Sequence, residues 1–164
     1  MNPKSVLWKL EPHTKGKHLV LRGYLDAWLP IMGMGSRNKR ILFIDDFAGP
    51  GQYQEGEEGS PLIALRTLKE HSARDKIAAE VVYIFIEKEE RRARHLEQLI
   101  SSWKPNLPSN CRTHIVHGVF DETLTQVFDE LDVQKQVLAP SFVMIDPFGI
   151  SGTPMNVISR ILQN

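Results

Sequence analysis

The sequence predicts an α/β fold, one parallel sheet with helices on both faces, preceded by an N-terminal helix. Three observations carry this. The strand-like runs at residues 41–45, 81–86 and 142–145 are continuously apolar rather than alternating, as in strands buried on both faces. Amphipathic helical stretches alternate with them, the pattern of a parallel sheet wound through crossover helices. Each of these runs ends at an acid, Asp45, Glu87 and Asp146, so a parallel arrangement gathers three carboxylates on one edge.

Residues 1–13, with Trp8 and Pro12, read as an extended arm anchored by the Trp8 ring. Thr14 is placed to cap a helix reaching about Trp28, with Leu19, Leu21, Tyr24, Leu25 and Trp28 as its apolar stripe. Residues 30–38, with Pro30, Gly33 and Gly35, read as a loop. The first strand, 41–45, runs into Asp46-Phe47-Ala48-Gly49-Pro50-Gly51 and then a polar loop to Gly59. Ser60-Pro61 opens a helix to about His71, Ser60 as its cap and Pro61 in its first turn. The second strand leads to Glu87 and a helix over 88–103, with Leu96, Leu99, Ile100 and Trp103 inward. A short third strand covers 113–117. Asp121 is placed to cap the next helix, whose stripe is Leu124, Val127, Phe128 and Leu131. The fourth strand is closed by Asp146-Pro147-Phe148-Gly149, and Thr153-Pro154 opens a last helix with Val157, Ile158, Ile161 and Leu162 inward. The expected organisation is an arm and helix at 1–38 and the α/β domain at 39–164.

Composition narrows the function classes. The 164 residues suffice for one domain with a sizeable core, and the formal net charge is zero. Binding to nucleic acid must then use a local patch, and Lys9, Lys15, Lys17 and Arg22 form the best one. Cys111 is the lone cysteine, which rules out an internal disulfide and a cysteine-cluster metal site. The histidines are too scattered for a metal site, so no metal is expected. No apolar run approaches the roughly 20 residues that span a bilayer. Met1 to Leu10 lack the apolar core of a signal peptide, and a cytoplasmic protein is the expectation.

A buried strand followed by an acid and Gly-x-Gly is how an open α/β sheet builds a nucleotide site. Glu87, ending a second strand, is placed either to accept two hydrogen bonds from a ribose diol or simply to begin the next helix. The glycine spacing lacks the third glycine of a dinucleotide fold, and Glu87 lies too far along the chain. That disfavours an oxidoreductase using a nicotinamide cofactor and favours an adenosine ligand without a diphosphate.

Asp45-Asp46-Phe47-Ala48-Gly49-Pro50-Gly51 resembles the first motif of class I methyltransferases, with Phe47 where many relatives carry their first glycine. Asp146-Pro147-Phe148-Gly149 resembles the Asp-Pro-Pro-Tyr motif of amino-group methyltransferases. Together with Trp8, Lys17, Tyr24-Leu25, Trp28, Tyr53 and Gly59-Ser60-Pro61-Leu62, the chain resembles the three-Cys-motif partner protein (TcmP) family. The resemblance implies a Rossmann-like sheet and S-adenosylmethionine as cofactor. By it, Asp45, Phe47, Gly49, Gly51, Glu87, His117 and Asp121 surround the cofactor. Asp45 would orient the methionine amine, directly or through water, Glu87 would hold the ribose, and His117 to Phe120 would line the adenine with Asp121 on its amino group. Asp146, Pro147 and Phe148 would hold the methyl acceptor, an amino group such as adenine N6 in RNA or DNA. The family name also implies a competing class, a non-catalytic module that binds another protein. Such a sheet usually has seven strands and four are counted here, so the expectation is a truncated domain.

Overall fold

A computed structural model describes residues 6–35, 37–146 and 154–163. Helix α1 (Pro12–Gly33) precedes β1 (Arg40–Asp45), α2 (Ser60–Glu70), β2 (Glu80–Glu87), α3 (Glu90–Trp103), β3 (Cys111–His117), α4 (Phe120–Gln134), β4 (Ser141–Met144) and α5 (Met155–Gln163). The four strands form one all-parallel sheet in the order β3-β2-β1-β4. The α/β class with helices on both faces stands as expected, and the arrangement is Rossmann-like. The chain adds β2 and then β3 on one side of β1, and β4 returns to the other side. The β1/β4 seam is therefore the point where the winding reverses, and open sheets of this kind bind ligands outside the carboxyl ends of the strands there.

Two apolar clusters fill the two faces. Ile41, Phe43, Tyr83 and Phe85 point to one face, against Leu21, Leu25 and Leu29 of α1, Leu65 and Leu68 of α2, and Leu96 and Ile100 of α3. Leu42, Ile44, Val82 and Ile86 point to the other, against Phe120, Leu124 and Phe128 of α4 and Val157 of α5. Strand alternation makes this division and carries it to the strand ends. Cys111, buried at the start of β3, belongs to the first cluster, and burial pushes its thiol up to about 12.

Several boundaries depart from the sequence reading. The first helix is capped by Glu11, not Thr14, and runs past Pro30 to Gly33 instead of ending at Trp28. Tertiary contacts hold that last turn. Gly33 lies so close to Ile77 that a Cβ there would sit 2.7 Å from its methyl, and its carbonyl accepts from the amides of Ala78 and Ala79. Leu19 is exposed, because the buried stripe continues from Leu21 and Leu25 to Leu29. The α2 cap is Gly59 rather than Ser60, and the α4 cap is Val119 rather than Asp121. Leu162 faces outward while Val157 is buried. The Pro147–Phe148 part of the acceptor motif and Thr153 lie outside the described residues. No helix among the described residues is long and apolar enough to cross a membrane.

Candidate functional site

The site is built around the turn after β1. Alternation sends Asp45 to the face of α1, α2 and α3, and Asp46 to the face of α4. Both are buried. Asp45 Oδ1 accepts from the Phe47 amide at 3.3 Å, and the Ser60 hydroxyl also donates to this carboxylate. Its Oδ2 is buried with no hydrogen-bond partner. Burial raises Asp45 to about 6, against the lowering effect of those two donors. Ser60 is therefore a site residue as well as the opening residue of α2.

Gly49 and Gly51 adopt positive φ, 61° and 81°, a conformation that other residues reach only with strain. Hydrogen bonds from three elements hold their turn. Glu87 Oε2 accepts from the Gly49 amide at 2.9 Å, and its Oε1 accepts from the Glu89 amide at 2.7 Å. His95 of α3 bonds the Pro50 carbonyl at 2.9 Å, and the Gly59 amide donates to the Gly51 carbonyl at 2.8 Å. Glu87 and the Asp45–Gly51 turn thus form one hydrogen-bonded unit. Where the turn comes close to neighbours, its own chain supplies them. A Cβ on Gly49 would lie 2.9 Å from the Trp8 ring, and one on Gly51 would lie 2.6 Å from Leu96.

Trp8 reaches Gly49 because the arm is tied down. The Gln54 amide donates to the Trp8 carbonyl and the Gln54 side chain donates to the Leu7 carbonyl. The Arg92 guanidinium lies 4.2 Å from the Trp8 ring centroid. Arg92 stands in the first turn of α3, the helix that follows Glu87, and this brings it to the site although the composition of that helix does not mark it.

Across the β1/β4 seam, a cleft of about 730 Å³ is lined by Trp8, Lys17, Phe47, Tyr53, Ser60, Arg92 and Asp146, among others. Lys17, on α1, bonds both oxygens of Asp146, at 2.6 and 2.9 Å. His18 lies beside them with its ring 5.8 Å from that of Tyr53, and burial lowers its pKa. Of the basic patch, Lys17 is engaged by Asp146 and Arg22 lies 3.7 Å from Glu70, while Lys9 and Lys15 are exposed.

His117 lies on the far side of Glu87 from this cleft. His117 pairs in register with Glu87, and its ring bonds the Lys88 carbonyl at 3.1 Å. Asp121, in the first turn of α4, faces Asp46 rather than Asp45. Burial raises Asp46 to about 8, helped by the charges of Asp45 and Asp121. Both Asp46 oxygens and Asp121 Oδ1 are buried without hydrogen-bond partners. Among the described residues no group of three or more His, Cys, Asp or Glu is placed to hold a metal ion. The chain matches no family model and no curated protein.

Proposed function

We propose that the chain is a methyltransferase domain that uses S-adenosylmethionine to methylate an amino group, adenine N6 in RNA or DNA being the leading acceptor. One observation carries the reading. Asp45, Glu87 and the glycine turn form one hydrogen-bonded unit at the carboxyl edge, beside a seam cleft that holds a third carboxylate, Asp146. The donor set suits a ligand with cationic groups. Asp45 Oδ2 is a buried acceptor without a partner, a need that an ammonium would satisfy. Glu87 keeps acceptor capacity beyond its two backbone bonds, since a carboxylate offers about four lone-pair sites.

When bound, the cofactor would supply a sulfonium methyl group that the acceptor nitrogen takes in line, the C–S bond breaking to release a thioether, so positioning provides most of the catalysis. Asp45 would orient the ligand's ammonium and Glu87 its hydroxyls. Asp146 would accept a hydrogen bond from the acceptor amine and keep its lone pair available. By resemblance, Pro147 and Phe148 would complete that acceptor site, and Gly49 and Gly51 would underlie the cofactor.

The test is mass spectrometry after incubating the chain with labelled S-adenosylmethionine and pooled RNA, DNA and protein. The expected product is an N-methylated amine, lost on Asp146→Ala with cofactor binding retained. Methylation of carbon or oxygen refutes the assignment. A second reading is a protein-binding module without transfer activity. It is favoured by the covering of Gly49 by Trp8 and of Asp146 by Lys17, and absence of any methylated product would support it.

A further inference from the structure

We propose that Lys17 is an exchangeable placeholder in the acceptor site: as a nucleotide amine reaches Asp146, Lys17 leaves it and pairs with a phosphate of the same single strand. The inference rests on the reading of Asp146 as the acceptor carboxylate, and it selects the acceptor class.

Both Asp146 oxygens are taken by the Lys17 ammonium, so any amine that binds there must displace it. Displacement is cheap. The two side chains are 49% and 37% exposed, and exposed ion pairs contribute only about 0–1 kcal/mol. The consequence lies in the charge balance. An incoming alkylammonium would leave two cations competing for Asp146, with Glu11 the other carboxylate lining the cleft. A nucleotide brings a neutral exocyclic amine for Asp146 and an anion for the released Lys17. The cleft also carries Lys9 and the Tyr53 ring, and aromatic faces stack the bases of single strands. His18, whose pKa is lowered by burial, adds little positive charge near neutral pH.

The experiment is a two-by-two cycle of Lys17→Ala and Asp146→Asn. Binding of a labelled, adenine-containing single strand of about a dozen nucleotides is followed by fluorescence anisotropy across a salt series. Neither change touches the core, and thermal melts verify that all four proteins fold. Asp146→Asn frees Lys17 and should tighten strand binding about two- to five-fold, the scale of the ion pair it breaks. Lys17→Ala should reduce the slope of log affinity against log salt by about 0.7, one phosphate contact on a single strand. In the Lys17→Ala background, Asp146→Asn should give a smaller gain. An equal gain in both backgrounds means only that a negative charge was removed, and it overturns the exchange. So does tighter binding of a lysine-rich peptide than of the strand. Calorimetry with S-adenosylmethionine separates the two ideas: cofactor binding without coupling rejects the exchange alone, and coupling without cofactor binding rejects methyl transfer alone.

Discussion

The Glu87 carboxylate accepts a hydrogen bond from the Gly49 amide at 2.9 Å, tying the end of β2 to the turn that follows β1. Its other oxygen holds the Glu89 amide, so one buried side chain satisfies two backbone donors. Glu87→Ala is therefore expected to do two things. Leaving those amides without their acceptor should lower unfolding free energy by about 1–3 kcal/mol, measured by urea denaturation. Affinity for S-adenosylmethionine should fall as well, measured by calorimetry at a temperature where both proteins are folded. Unchanged stability would show that water replaces the carboxylate and that the turn does not depend on it.

Gly49 and Trp8 should be energetically coupled. Gly49→Ala places a methyl at positive φ and 2.9 Å from the Trp8 ring. The left-handed conformation costs a non-glycine residue about 1–2 kcal/mol, and the contact adds to that. Trp8→Ala removes the contact but not the backbone strain. The double variant should therefore be more stable than the sum of the two single effects predicts, by about 0.5 kcal/mol or more. Strict additivity in denaturant melts would mean that the arm does not rest on the turn in solution.

The two aspartates after β1 should set the pH dependence of stability. Their folded-state pKa values, about 6 for Asp45 and about 8 for Asp46, lie above the roughly 3.9 of an unfolded aspartate. The native state then holds these protons more tightly than the unfolded chain does. Their contribution is complete below about 3.9 and is lost as pH rises from there, through about 6 for Asp45 and through about 8 for Asp46. Thermal melts should show the midpoint falling across that range. Asp46→Asn, which stays neutral, should flatten the upper part of the curve and exceed the wild-type midpoint above the Asp46 pKa. A wild-type midpoint that rises with pH would overturn the burial assigned to Asp46.

Much of this was legible in the sequence because buried strands write themselves as apolar runs. Val81 to Ile86 could hardly sit anywhere but the middle of a sheet, and the acid after each run marked the binding edge. The opposed directions of Asp45 and Asp46 also follow from strand alternation, yet they emerge only once the two helix layers are known. Pro30 misled because its local cost was outweighed by distant contacts of Gly33 with Ile77, Ala78 and Ala79. Ser60 reads as a helix cap because its donation to Asp45 reaches across the fourteen residues between them. The Lys17–Asp146 pair joins residues 129 apart, and no spacing rule reaches that far.

The outer edge of β4 should control self-association. β4 pairs with β1 on one side, and among the described residues no strand pairs with its other side. Leu42 and Asp46 amides donate to the carbonyls of Pro140 and Met144, so in a parallel ladder Phe142 shares their orientation. Ser141 and Val143 then direct their amides to the open edge, which is a template for another strand. Proline is tolerated on an edge strand where its missing N–H faces outward. Val143→Pro should therefore lower the tendency to associate, followed by light scattering across a concentration series. Phe142→Ala is the contrasting change. Its ring packs on Tyr24 at 4.8 Å and Phe43 at 5.5 Å between centroids, so it should cost about 2 kcal/mol by cavity formation. That loss should lower the melting midpoint and, by loosening β4, leave association unchanged or increased. A wild-type chain that stays monomeric at every concentration, with Val143→Pro indistinguishable from it, would show that the edge is already covered.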